Sequence, residues 1–318
     1  MHDLLDSVGD AHRALIEQIL DENGTADKST VSGARALDLA SPDELVFCKT
    51  ETPEMVAAVI ATRSRFIVAR PQLLPLLPSQ FKRSRVLVLT RNPRALIAAL
   101  ATPLETRSTE WRTRESLRGE GWIAADALIA PGVVFGPGVT IGRRCIVGPN
   151  SVLAHVTIGD DSRIGSNCSI GGDGFGFEVD SETGAVTKFP HFGRVTIGKN
   201  VEIFSNVCIA RGSLRDTVIE DHVKIDNLVH VAHNCTIRRG AFLIANSMIG
   251  GSTIIGEGAW IAPSTSVLNG IVVGDRAMTG MGAVVTKAVG TNEIVAGVPA
   301  RKLRDRFPNP DPASGGKQ

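Results

Sequence analysis

The segment Lys224-Ile225-Asp226-Asn227-Leu228-Val229-His230-Val231-Ala232-His233-Asn234 carries the best polar cluster in the chain. Imidazole titrates near neutral pH, so a histidine serves as a general base without special tuning. A carboxylate brought beside it fixes its tautomer or supports its positive charge. His233 is therefore a candidate base and His230 a candidate substrate contact, each set against the plain alternative of a solvated surface histidine. His155 occupies the same repeat position as His233 but lacks comparable neighbours, and His191 lies in a long insertion, where it is a candidate substrate contact.

Other chemistries fit less well. His230 and His233 are three apart, a spacing that shares a face only in a helix, and no carboxylate or third histidine completes a ligand set. No metal site is expected. No GxSxG nucleophile context is present. GDGFGF looks like a glycine-rich nucleotide loop, but it does not open a helix inside a βαβ unit and so fails that test.

The polar cluster sits inside a repeat. From about residue 123 an aliphatic residue recurs every six positions: Ile129, Phe135, Ile141, Val147 and Leu153, then Ile158, Ile164 and Ile170. The series resumes at Ile197, Ile203 and Ile209, steps through Leu214 and Ile219, and runs from Ile225 to Val285. A period of six is a β-helix signature. Each hexapeptide supplies one short strand and one tight corner, and three make a triangular coil. About eight coils rising ~4.8 Å each give a prism roughly 38 Å long. Ile225 and Val231 serve its core, whereas Asp226, Asn227, His230 and His233 fall off the inward register. Cys145, Cys168 and Cys235 lie two positions before a repeat aliphatic and are expected inside the prism, with Cys208 outside. The repeat breaks between Ile170 and Ile197, where GGDGFGFEVDSETGAVTKFPHFGRVT concentrates Phe175, Phe177, Phe189 and Phe192. A β-helix ejects long insertions onto one face, often the binding face, so this loop is expected to fold over a site, here or on a neighbouring chain.

Before residue 110 the pattern is mixed. Leu45 to Cys48, Phe66 to Ala69 and Val86 to Leu89 are apolar runs of strand length. Thr52 to Thr62, Pro93 to Leu100 and Asp10 to Leu20 read as helices. These alternating signals predict a small α/β domain over 1–110, a connector over 111–122, a β-helix over 123–290 with its loop at 171–196, and a short C-terminal segment over 291–318.

Composition sets the limits. Lys plus Arg is 34 and Asp plus Glu is 33, which gives no global support for a nucleic-acid partner. Five cysteines, an odd number without CxxC, argue against a disulfide framework or zinc knuckle. The N-terminus has no signal-type apolar run, and no stretch approaches the roughly 18 uninterrupted apolar residues of a membrane span. A cytoplasmic protein is the expectation.

The hexapeptide prism, the GGDGFGF loop with its following FPHFGRVTIG, and RGSLRDTVIEDHVKIDNLVHVAHNC together resemble the UDP-3-O-acylglucosamine N-acyltransferases of lipid A biosynthesis. VSGARALDLASPDELVFC and VLVLTRNPRALIAAL are similar to that family's small α/β nucleotide-binding domain. The resemblance covers about residues 30 to 303. It implies a left-handed parallel β-helix, a homotrimer with sites between neighbouring prisms, and acyl transfer from a thioester to the amine of a nucleotide-linked amino sugar. On it, His233 is the catalytic base, Asp226 its acidic partner, Asn227 a substrate-positioning residue and Phe47 the ring that stacks on uracil. His230, His191, Phe175 and Phe177 are expected to meet substrate. Arg301 and Lys302 are expected to meet the phosphates of the donor, an acyl carrier protein thioester or acyl-coenzyme A, or to solvate the surface. No permanently bound cofactor is implied, because the thioester carries the activation.

The chain departs from that pattern in places. Pro53 stands near the place of a second aromatic, Thr50 near that of an Asn, and Gly270-Ile271 where the family has Gly-His. The end, GVPARKLRDRFPNPDPASGGKQ, offers a helical turn or two at most, where the family has helices that engage the carrier protein. Two alternatives stay open: a coenzyme-A-dependent N-acetyltransferase for a surface-polysaccharide amino sugar, and a nonenzymatic β-helix scaffold.

Overall fold

The computed structural model describes residues 33–101, 123–179 and 184–307. The expected helix at Asp10 to Leu20, the connector and the Pro/Gly-rich tail after Phe307 lie outside the described residues. Among the described residues no helix is long and apolar enough to cross a membrane.

Two compact units emerge, and each is described by itself. The smaller is built on a parallel sheet of β1 (Gly33–Ala34), β2 (Glu44–Phe47), β3 (Phe66–Ala69) and β4 (Val86–Leu89), in that order. Continuous apolar runs form its central strands because both faces are covered. Between strands run α1 (Pro53–Ala61), a 3-10 turn at Pro71–Leu76, α2 (Ser79–Arg83) and, after β4, α3 (Pro93–Ala101). Thr52 caps α1 by accepting the Met55 N–H (3.4 Å), and Pro53 fills a position whose N–H would have no partner. Asn92 caps α3 through the Ala95 N–H at 3.1 Å. Side chains alternate along the strands. Val46, Cys48, Ile67 and Ala69 pack with Val59, Leu73 and Leu77 in one core cluster. Leu45, Phe66 and Val68 pack with Leu96 and Ile97 in a second.

That second cluster is completed by residues from far along the chain. Phe189 and Leu214 are buried in it, with Phe192 at its margin. Residues 175–193 and 213–215 belong to the small unit, whereas 194–212 and 216 onward stay with the repeats. Leu214 O accepts the Ala36 N–H (3.3 Å), and Ser213 O accepts the N–H groups of Phe192 (2.7 Å) and Gly193 (2.9 Å). Arg215 forks onto Asp38 through both terminal nitrogens. The insertion forms a hairpin of Phe177–Val179 against Val186–Lys188. Arg94 of α3 pairs with its Glu178 and lies 5.1 Å over the Phe189 ring. Within the chain, then, the insertion gives Phe189 and Phe192 to the small unit's core, where a cover for a site was expected. Leu214 likewise is no repeat residue. It is buried in the small unit's second cluster.

The larger unit is the repeat. Successive strands fall in three parallel sheets; one runs Val139–Ile141, Val156–Ile158, Val195–Ile197, Thr217–Ile219, Thr236–Ile237, Ile254–Ile255 and Val272–Val273. Each coil hydrogen-bonds to the next, as in Gly142 N–H to Ile158 O and Gly159 N–H to Ile197 O, both 2.8 Å. The repeat aliphatics line one continuous core together with Cys145, Cys168 and Cys235, and Cys208 faces out. Thr279 takes an aliphatic's place because its Oγ1 pairs with Thr265 Oγ1 and accepts the Ala262 N–H, both at 2.9 Å. Small residues after the aliphatic have a steric cause: a Cβ on Gly165 would sit 2.5 Å from the Phe204 carbonyl carbon.

At the C-terminal end, Glu293–Ala296 joins the sheet beside Met278–Thr279, and Arg301–Asp305 returns antiparallel to it. A helical turn was expected there. Gly297, at φ 93°, and Pro299 turn the chain back, and Lys302 then ties to Glu293 (2.8 Å) and Asp305 (2.9 Å) across and along the strand.

Because Phe189 completes the small unit's core, Phe189→Ala is expected to destabilise that unit by about 3–5 kcal/mol and leave the repeats intact. Hydrogen exchange would show faster exchange in β2 and β3 with unchanged protection in the coils; unaltered exchange in β3 would refute the assignment.

Candidate active site

One edge of the prism is built from the corners that link the sheet containing His230–Val231 to the sheet containing Thr236–Ile237. Its rungs are the corners at His155, at Ala232-His233-Asn234, at Gly250-Gly251-Ser252 and at Leu268-Asn269-Gly270. Both excursions toward the small unit, after Ile170 and after Ile209, leave from this same edge. At their root Asp173 of the GGDGFGF motif pairs with the largely buried Arg211 at 2.8 Å.

His233 is half-buried on this edge. Its Nδ1–H donates to Asn234 Oδ1 at 2.8 Å, which leaves the Nε2 lone pair as the basic atom. Asn234 holds a left-handed conformation (φ 61°), which a short polar residue accepts readily. One coil further on lies Gly251, which is buried. A Cβ there would come within 2.9 Å of both Nε2 and Cε1 of His233, so only glycine lets the imidazole lie flat against the next coil. Among the described residues the Gly251 N–H has no hydrogen-bond partner. Buried amide groups are nearly always paired. A spare N–H beside a basic imidazole is what a negatively charged oxygen requires during acyl transfer.

The other candidates fall elsewhere. Asp226 opens the corner at the opposite end of strand His230–Val231. Its Oδ1 accepts the backbone and side-chain N–H groups of Asn227 (2.8 and 2.9 Å), and its Oδ2 accepts the Ala245 N–H (3.2 Å). Within the chain it caps coils, and the bond made by His233 Nδ1 goes to Asn234 Oδ1. Asn227 Oδ1 accepts the Ser205 N–H at 3.0 Å, a second coil-to-coil bond. His230 faces outward between Cys208 and Met248, and desolvation by its surroundings lowers its pKa. His155 has its pKa lowered to about 4, first by burial and then by Arg211 and Arg194, so it is neutral at physiological pH.

In the small unit, Phe47 is half-buried at the end of β2, its ring 6.4 Å from that of Phe189 and tilted by 59°. His191 is 1% exposed, so it offers no surface to a substrate while this unit is folded. The sequence reading missed this because a histidine in an insertion gives no sign of burial. Phe175 is 89% exposed and lies 5.0 Å from the Phe177 ring. Arg301 and Lys302 are exposed on the terminal strand of the larger unit, Lys302 already holding two carboxylates. Cysteines are poor nucleophiles here: burial raises the Cys208 thiol and pushes Cys235 up to about 11. Among the described residues no group of three His, Cys, Asp or Glu side chains could hold a metal ion.

Gly251 and the orienting role of Asn234 escaped the sequence reading. The usable signal was the stack itself: Gly251 lies one coil beyond His233 on the same edge.

Comparison with known proteins agrees with the repeat. The family described as bacterial transferase hexapeptide (six repeats) matches residues 121–155 and 252–287. A UDP-3-O-acylglucosamine N-acyltransferase of Caulobacter sp. (strain K31) is 40% identical over 155 residues, 49% of this chain and 45% of that protein. One from Herminiimonas arsenicoxydans is 38% identical over 137 residues, covering 43% and 39%. The chain thus spans less than half the length of these two relatives. UDP-3-O-acylglucosamine N-acyltransferase 2 of Legionella pneumophila (strain Paris) is 37% identical over 251 residues, covering 72% of this chain and 71% of that protein. Among solved structures, a UDP-N-acetylglucosamine acyltransferase from Bacteroides fragilis aligns with 58% of this chain and 72% of its own, at 23% identity and a TM-score of 0.46. With 37% identity sustained over more than two thirds of the Legionella relative, the chain belongs to the UDP-3-O-acylglucosamine N-acyltransferase family.

Proposed function

We propose that this chain is an N-acyltransferase, moving an acyl group from a thioester to the amine of a nucleotide-linked amino sugar, most like UDP-3-O-(3-hydroxyacyl)glucosamine. The observation that carries the reading is His233 held through Nδ1 by Asn234, with the spare Gly251 N–H on the adjoining coil. Nε2 takes a proton from the sugar amine as its nitrogen attacks the thioester carbonyl. The carbonyl oxygen, now negative, is received by the Gly251 N–H. Collapse re-forms the carbonyl and breaks the carbon–sulfur bond, and the imidazolium returns its proton to the leaving thiolate. The products are the amide and the free thiol. Each step uses side chains and backbone already on one edge, so little reorganisation accompanies the reaction.

The rest of the reading follows the family. The prism winds left-handed, and three copies form a cytoplasmic trimer with sites between prisms. Phe47 offers one ring face to the nucleotide base. His230 and the exposed Phe175 and Phe177 are substrate contacts, and Asp226 and Asn227 support the site by fixing the coil on which His230 and His233 stand. Arg301 and Lys302 lie on an exposed strand suited to phosphates of the donor, an acyl carrier protein thioester or acyl-coenzyme A.

Thiol release tests this directly. A 3-hydroxyacyl carrier protein and acetyl-coenzyme A are each paired with UDP-3-O-(3-hydroxyacyl)glucosamine and other nucleotide amino sugars. Turnover is expected with the acylated carrier; turnover with acetyl-coenzyme A alone would move the chain to the short-acyl alternative, and silence with every pair would favour a scaffold. His233→Ala is expected to lower kcat by about 10²–10⁴, and an undiminished rate would sink the mechanism. Gly251→Ala is expected to lower kcat by at least about 10², because its methyl displaces the imidazole. Retention of full activity by that variant would remove Gly251 from the site.

A further inference from the structure

Most corners of the prism share one pattern of hydrogen bonding; apart from the corner treated below, Arg144 near the first described coil also departs from it, its N–H donating to Asp126 Oδ1 at 3.2 Å. The third residue of a corner turns through the left-handed region, and its N–H donates to the carbonyl of the second residue in the corner before it. Asn246 donates to Asn227 O (3.0 Å), Ser264 to Ala245 O (3.0 Å), Gly258 to Arg239 O (2.9 Å) and Gly240 to Asp221 O (3.0 Å). On the edge that carries His233 the rule holds above it, Ser252 donating to His233 O and Gly270 to Gly251 O, both 2.9 Å. Below it the shortened corner does the equivalent, its left-handed His155 (φ 44°) donating to Pro137 O at 2.7 Å.

Asn234 departs from the rule. Its N–H donates to a side chain, Thr217 Oγ1, at 2.9 Å. The departure has a local cause. The coil beneath makes its excursion here, between Ala210 and Thr217, so the corner carbonyl that would have accepted this bond is carried away. Thr217 itself is fully buried, at a register where the two paired strands before it place Val156 and Val195. A hydroxyl in an aliphatic column needs a reason, because burying a polar group is unfavourable unless it is bonded. Its bond goes to the residue that holds the imidazole: Thr217 Oγ1 accepts from Asn234 N–H, and Asn234 Oδ1 accepts from His233 Nδ1–H.

We propose that Thr217 is a positioning residue of the active site, its buried hydroxyl replacing the missing corner carbonyl and thereby fixing Asn234 and the orientation of His233. This rests on the reading of His233 as the base. Thr217 touches no reacting atom. It sets the backbone from which the Asn234 amide reaches back, so its loss lets that amide swing and the Nε2 lone pair point away from the amine. A general base displaced by about an ångström loses of the order of 10²-fold in rate.

The test uses the full-length protein with 3-hydroxyacyl carrier protein and UDP-3-O-(3-hydroxyacyl)glucosamine. Thr217→Val keeps the shape and supplies the residue this column already uses, so the coils are expected to persist, checked by Tm. Its kcat should fall by about 10- to 100-fold with KM for both substrates within about twofold. Thr217→Ser, which keeps the acceptor, should restore kcat to within about threefold of the parent. Nitrogen NMR of histidine-labelled protein should show His233 protonated on Nδ1 in the parent and in Thr217→Ser, and a tautomer mixture in Thr217→Val, whether or not substrate is turned over. A Thr217→Val enzyme with normal kcat and an unmixed tautomer, alongside an inactive His233→Ala, would overturn this inference alone. An active His233→Ala would overturn the reading beneath it. Equal loss in Thr217→Val and Thr217→Ser, with lowered Tm in both, would make Thr217 a packing residue and also reject the proposal.

Discussion

Everything in the larger unit depends on one constraint: each coil must give its backbone N–H groups to the next. A hexapeptide coil is too short to satisfy itself, since its strands are two or three residues long and its corners are tight. Stacking answers the need along the strands and again at the corners, where left-handed residues aim their N–H groups at the carbonyls of the neighbouring coil. The acidic corner residues extend the same logic with side chains. Asp160 accepts from Arg143 N–H, Asp221 from Lys199 N–H and Asp226 from Ala245 N–H. Once the ladder is in place, every outward side chain has a fixed rung and a fixed edge.

The small unit solves a different problem. Its parallel sheet has two apolar faces, and the described helices and strand ends leave room on the second face for Phe189 and Leu214. Those residues arrive on excursions from one edge of the repeat, and Arg94, Glu178, Arg215 and Asp38 clasp them from the polar side. An insertion that looks like loop in sequence thus behaves as core. Its exposed apolar side chains Phe175, Val179 and Val186 are the part left for other contacts.

The period of six was legible because it is the core itself, repeated, and so were β2, β3, β4, α1 and α3 of the small unit, whose apolar runs are local, whereas β1, the 3-10 turn and α2 were not read. What stayed hidden depends on distant partners. Leu214 keeps the repeat's apolar character but packs in the other unit. His191 gives no local sign that it is buried. Asp226 has the chemistry of a histidine partner, and only the placement of the corners shows its oxygens turned to backbone amides. The terminal strand reads as a weak helix because Arg301 to Asp305 has no apolar alternation, and it forms only against Glu293–Ala296. Of the candidate site, His233 was singled out by type and neighbours, whereas Gly251 required knowing which residue lies one coil away.

A regular ladder makes its own exceptions informative. Two of them fall on adjoining corners of one edge. Asn234 N–H goes to a side chain, Gly251 N–H goes to no described partner, and a half-buried imidazole lies against the glycine between them. A buried amide without a partner is unfavourable, whereas the buried Thr217 hydroxyl is offset by the bond it accepts from Asn234 N–H. Together they leave an imidazole held through Nδ1 beside an amide N–H with no described partner, the arrangement on which the proposed mechanism rests. The excursion that carries Leu214 to the small unit is also what takes the carbonyl from beneath Asn234. The same break in the stack therefore releases one corner from the ladder, and a corner freed in this way can hold polar groups that the regular ladder would otherwise consume.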